Sequence, residues 1–141
     1  MVSLAYPLIF NFMHEYDTEA VGITIPVGLI VGQKQVLIPN AKLDTGASFC
    51  IFQRVYGESL GLDIEKGEKE TISTPMGIFS AYGHEVLLFA LGLQLDAMVY
   101  FTTMQGFNRN VLGRHGWLQQ LRVAIIDYDG KLFVSRYEDE N

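Results

Sequence analysis

Ala41-Lys42-Leu43-Asp44-Thr45-Gly46-Ala47-Ser48-Phe49, continued by Cys50-Ile51-Phe52, sets Asp-Thr-Gly between two apolar stretches. A buried strand that enters a tight glycine turn and leaves as a second buried strand holds its aspartate on a rigid mount, which suits a carboxylate that must do chemistry. The same tripeptide also occurs as an ordinary loop, its aspartate accepting backbone N–H bonds in an Asx turn. Alone, it leaves a catalytic and a structural reading open.

On both sides the chain keeps a β grammar, with Val, Ile, Thr, Phe and Tyr in short runs bounded by Gly, Pro, Asn or Asp. Strands are expected at about 4–11, 21–31, 35–38, 41–44, 49–52, 86–90, 93–102, 123–127 and 132–135. Gly32-Gln33-Lys34 and Tyr128-Asp129-Gly130-Lys131 supply hairpin turns. A short helix is expected over 53–60, stopped by Gly61. A second is expected over 114–121, where Trp117, Leu118 and Leu121 recur at helical spacing. The mixed-sign run 63–70 suits a solvated loop or edge strand. Residues 71–79 form two short arms around Thr74-Pro75-Met76-Gly77, a Pro-then-Gly signal for a hairpin tip.

The 141 residues suit one domain, 1–141 with its core at about 21–134, and 49% hydrophobic against 18% charged residues describes a packed globule. A net charge of −6 offers no basic surface for a phosphate backbone, so nucleic acid is not an expected partner. The greasiest stretch, 21–31, is interrupted by Gly22, Thr24, Pro26 and Gly28, so no membrane span is expected. A lone Cys50 in an apolar run makes no internal disulfide and fits a cytoplasmic, reducing setting as a small buried hydrophobe. His14-Glu15 and His84-Glu85 lack the second histidine of a zinc-binding helix, since Thr18 and Leu88 stand in its place. No metal and no cofactor are expected. Ser48 and Ser59 lack a nucleophile-elbow context.

Further along, Asn110-Val111-Leu112-Gly113-Arg114-His115-Gly116-Trp117-Leu118 puts an apolar pair before Gly-Arg. With both motifs in this order the chain resembles the retropepsin-like (retroviral-type) aspartic proteases, in particular their small bacterial single-domain members. The resemblance runs over roughly 21–134: apolar strand, Asp-Thr-Gly-Ala-Ser, short helix, flap, apolar-apolar-Gly-Arg helix and final hairpin. It implies an all-β fold, a closed acid-protease β-barrel with one or two short helices and a flap hairpin, and an aspartic endopeptidase acting on polypeptides.

By the same resemblance Asp44 is the catalytic carboxylate, Thr45 bonds across to its symmetry mate, Gly46 lets the backbone approach the scissile peptide, and Ala47 lies beside substrate main chain. Thr74, Pro75, Met76, Gly77 and Ile78 would form the flap over the substrate. Val111, Leu112 and Gly113 would pack beneath the Asp44 loop, with Arg114 in a structural hydrogen-bonding role. Where retroviral enzymes carry acidic residues after Asp-Thr-Gly-Ala, this chain has Ser48-Phe49, so Arg114 needs another partner. Ala47 offers no hydroxyl to the carboxylate, which implies activity at mildly acidic to neutral pH.

Peptide hydrolysis by carboxylates needs one acid as base toward water and a second, protonated, to polarise the carbonyl. The chain has one Asp-Thr-Gly and no Asp-Ser-Gly, so the pair would have to form in a homodimer across a twofold axis. Two rivals stay open: a catalytically silent retropepsin-like module that binds peptides or assembles with partners, and an unrelated β-barrel for small ligands.

Overall fold

A computed structural model describes residues 7–75, 77–103 and 107–139. The first part of the strand expected over 4–11 and the hairpin-tip residue Met76 lie outside them. The strands are β1 (Phe12–Glu15), β2 (Thr24–Val31), β3 (Lys34–Leu43), β4 (Ile51–Phe52), β5 (Glu68–Thr74), β6 (Gly77–Ala90), β7 (Leu93–Thr102), β8 (Val111–Leu112), β9 (Leu121–Ile126) and β10 (Lys131–Arg136). The α-helix α1 spans Arg54–Ser59, and single 3₁₀ turns cover Ile64–Lys66, Leu118–Gln120 and Asp127–Asp129. The protein is mostly β.

Three local expectations are corrected. The described part of 4–11 is not a strand; β1 begins at Phe12 and pairs with β10. The helix expected over 114–121 shrinks to the turn at Leu118–Gln120, because Gly116 takes φ 99°, outside the right-handed helical region. The two strands expected at 35–38 and 41–44 are one strand, β3, which crosses Pro39 without breaking. Its ladder with β2 shifts register between Ile25↔Ala41 and Val27↔Ile38, placing Pro26 and Pro39 in the irregularity, where neither missing N–H disrupts a regular pair.

Seven strands order as β2-β3-β8-β4-β7-β6-β5, and β6 also pairs with β2 through Val27↔Ala90 to Ile30↔Leu87. A separate sheet orders β1-β10-β9. Alternation decides the faces: along β7, Leu93, Leu95, Ala97 and Val99 are buried while Gln94 and Asp96 face water. At Tyr100 the alternation stops, since the far end of β7 is covered on both sides. One side belongs to the main core, which includes Trp117, Phe52, Phe101, Leu29 and Leu112. The other belongs to a smaller cluster of Ile51, Ile72, Ala81 and Tyr100, against which Phe49, Phe79, Met98 and Phe107 pack. That second cluster lies under the β5–β6 hairpin and underpins the site described next.

Candidate active site

The end of β3 is welded to β8. Lys42 N–H donates to the Asn110 carbonyl at 2.7 Å and Asp44 N–H to the Leu112 carbonyl at 3.0 Å, within a parallel pairing Lys42↔Val111 and Leu43↔Leu112. Past Asp44 the chain turns: Ala47 N–H donates to the Asp44 carbonyl (3.2 Å), and Gly46 N–H donates to Asp44 Oδ1 (2.9 Å). The return strand is then held by Arg114 N–H to the Ala47 carbonyl (2.9 Å) and His115 N–H to the Ser48 carbonyl (2.8 Å). Backbone bonds on both sides therefore fix a shelf on which Asp44, Thr45 and Gly46 stand exposed and Ala47 is half-buried. The Asx-type bond and a backbone-fixed mount thus occur in one turn, so the bond does not by itself decide between the structural and the catalytic reading.

Beneath the shelf, Val111, Leu112 and Gly113 are buried. Gly113 has no space for a side chain: a Cβ there would lie 2.8 Å from the Ala47 carbonyl oxygen and 2.7 Å from the Phe49 carbonyl carbon, and closer still to the Phe49 carbonyl oxygen. The guanidinium of Arg114 is exposed and makes no hydrogen bond among the described residues; the structural bonds at this position are those of its backbone.

Cys50 is fully buried behind the same shelf, its Sγ accepting from Gly113 N–H at 3.4 Å and donating to the His115 carbonyl at 3.5 Å. Burial pushes the thiol from its ordinary 9.0 up to about 12, against a smaller lowering by the Gly113 bond. Between those values the unfolded chain ionises while the folded one keeps its proton, so unfolding releases a proton and stability falls as pH rises through the window. Urea midpoints measured above pH 9 should decline less steeply in Cys50→Ala than in wild type; equal slopes would contradict a buried, protonated thiol.

A cleft of about 620 Å³ opens over the shelf. Its floor is Asp44, Gly46, Ala47, Ser48 and Phe49; its far side is the β5–β6 hairpin, with Thr74, Pro75, Gly77 and Ile78; Ile51, Ile72, Phe79, Phe107 and Val111 supply apolar wall. Thr74 Oγ1 donates to the Gly77 carbonyl at 3.0 Å across the hairpin end. Of the sequence-derived candidates, Asp44, Gly46, Ala47, Thr74, Pro75, Gly77, Ile78 and Val111 thus border one cleft. Thr45, Leu112, Gly113 and Arg114 do not line it, and Met76 is outside the described residues. Sequence reasoning missed Phe107, Asn108 and Arg109, which join the wall from an irregular segment just ahead of β8. Their only signal was position, directly before Asn110-Val111-Leu112-Gly113.

Among the described residues no group of three or more His, Cys, Asp or Glu side chains gathers at metal-binding distance, and no helix is long and apolar enough to cross a membrane. No family model and no curated protein matches the chain. Solved structures do. The EIAV protease complexed with the inhibitor HBY-793 aligns at 18% identity and TM-score 0.46, over 64% of this chain and 80% of its own. A retropepsin-like aspartic protease from Rickettsia conorii aligns at 16% identity and TM-score 0.55, over 94% of this chain and 98% of its own. With nearly the whole of both chains superposed in the latter case, the protein has the retropepsin-like fold.

Proposed function

We propose that residues 1–141 act as one retropepsin-like aspartic protease domain, an endopeptidase whose active unit is a homodimer. The observation that carries this is Asp44 itself, an exposed carboxylate on a backbone-fixed turn at the floor of a cleft of about 620 Å³. No other carboxylate lines that cleft among the described residues, so a second copy is the source of the second acid. The pairing circuit β2-β3-β8-β4-β7-β6 and back to β2 is read as the closed barrel, and the β5–β6 hairpin as the flap.

Two carboxyls brought together share one proton, because both ionise only at high cost. The ionised Asp44 takes a proton from water as the water oxygen bonds to the scissile carbonyl carbon. Its protonated mate donates a hydrogen bond to the carbonyl oxygen as charge develops there. Collapse of the tetrahedral intermediate breaks the C–N bond, the leaving nitrogen takes up a proton, and the pair returns to its single shared proton. Thr45, exposed beside Asp44, would bond across the twofold axis, and the apolar wall suits apolar substrate side chains. The buried thiol fits a cytoplasmic setting.

The test is stoichiometry. Calorimetric titration with a statine-type transition-state analogue should saturate at one analogue per two chains, and the mass in solution should be about twice 15.8 kDa. One analogue per chain, or a monomer that binds it, would remove the dimeric site.

A further inference from the structure

Asp44 and Arg109 are the two charged residues that line the cleft among the described residues. Arg109 is exposed, and among the described residues its guanidinium takes part in no ion pair or hydrogen bond; in particular it does not pair with Asp44. Its backbone is nonetheless held on both sides. Two residues before it, the Phe107 ring packs on Phe79 of β6 at 5.1 Å between centroids. Immediately after it, Asn110 is buried, its Oδ1 accepting from Gln53 N–H at 3.1 Å and its Nδ2 donating to Gln53 Oε1 at 3.0 Å. The Asn110 carbonyl also takes the Lys42 N–H that fixes the shelf. A cation on a fixed stem, with its five donors unspent, thus faces a cleft whose other walls are largely apolar.

We infer that Arg109 selects substrates carrying an acidic side chain, Asp or Glu, close to the bond that is cut. The inference rests on the proteolytic reading above and names the substrate class for that site. In the dimer, an Asp44 pair sharing one proton carries one negative charge, whereas two copies of Arg109 bring two positive ones. The cleft is then locally positive within a chain of net charge −6, which otherwise repels acidic peptides. A guanidinium meets a carboxylate through two parallel N–H···O bonds. Bound peptide and hairpin exclude water there, so the pair is stronger than an exposed surface ion pair.

Two pools of N-acetylated, C-amidated octapeptides separate the possibilities. Each is randomised over apolar residues except at one position, which is Glu in one pool and Gln in the other. Binding is measured by calorimetric competition on the Asp44→Asn protein, which needs no turnover, and cleavage on wild type. The Glu pool is expected to bind about tenfold more tightly than the Gln pool at low salt, with the advantage shrinking as ionic strength rises. Arg109→Gln should bring the two pools within about twofold, and Arg109→Glu should favour a matching Lys pool. Equal binding of the Glu and Gln pools to Asp44→Asn, or a Glu preference that survives Arg109→Gln, overturns the role of Arg109. A Glu preference without any cleavage by wild type leaves that role standing and removes the protease.

Discussion

Replacing Asp44 by Asn is expected to lower peptide turnover by at least about a thousandfold, the scale on which a positioned acid or base contributes. The fold should survive. Asp44 is exposed, and an asparagine Oδ1 accepts the Gly46 N–H bond as well as a carboxylate oxygen does, so the turn keeps its geometry. Thermal melting should therefore shift by no more than about a degree or two, as for a surface substitution. Mixing sharpens the result. In an equal mixture of wild-type and Asp44→Asn chains that exchange freely, about one quarter of dimers carry two native aspartates, and activity should fall to that fraction and not to one half. Turnover retained by Asp44→Asn would take the chemistry away from Asp44, no turnover by either protein would return the molecule to the catalytically silent reading, and a linear mixing curve would place the whole active site in one chain.

Gly113→Ala should be strongly destabilising for so small a change. The added methyl would press against backbone, the Ala47 carbonyl oxygen at 2.8 Å and the Phe49 carbonyl carbon at 2.7 Å, and backbone atoms cannot rotate aside as a side chain end would. Relief requires moving the return strand away from β8, which stretches the Arg114-to-Ala47 and His115-to-Ser48 bonds that hold the shelf. The expected cost is about 3 kcal/mol, seen as a melting temperature lower by roughly 10 °C in a domain of this size. Gly28→Ala is the matched control, because a Cβ on that strand residue would meet Leu37 and Phe89 side-chain atoms no closer than 3.5 Å. Its effect should stay below about 1 kcal/mol, the ordinary glycine-to-alanine range. Equal stability of Gly113→Ala and wild type in thermal or urea unfolding would show that the shelf is softer than its bonds imply.

What the sequence made legible follows from what is local. Asp44-Thr45-Gly46 between apolar runs is a turn by its composition, and Val111-Leu112-Gly113 is conspicuous as an apolar pair before a glycine; that the two segments pair came from the resemblance and not from their composition, and the strands leading into them lie side by side. Hairpins announced by Gly32 and by Tyr128-Asp129-Gly130 also form at their turns, since glycine punctuates the chain whatever the surroundings. Other features are set by tertiary contacts. Pro39 suggests a break, but a register shift absorbs it together with Pro26, and no single-strand pattern contains that coincidence. Trp117, Leu118 and Leu121 have helical spacing, yet Trp117 is drawn into the main core and Gly116 bends the chain on the way, leaving one turn of 3₁₀. Phe107 and Arg109 belong to no periodic element, and only the folded structure, in which Phe107 packs against Phe79, brings both to the cleft wall.

The weld between β3 and β8 also bears on when the site comes into being. Asp44 bonds to Leu112 and Ala47 to Arg114, partners that are close in space but lie on opposite sides of the long β5, β6 and β7 excursion. Such non-local closure is entropically slow, and nothing near Asp44 in sequence substitutes for it. A chain emerging from the ribosome has no shelf to hold its Asp-Thr-Gly until the β8 segment has followed, about seventy residues later. The turn therefore reaches its final geometry only after β5, β6 and β7 have been made, a delay written into strand order.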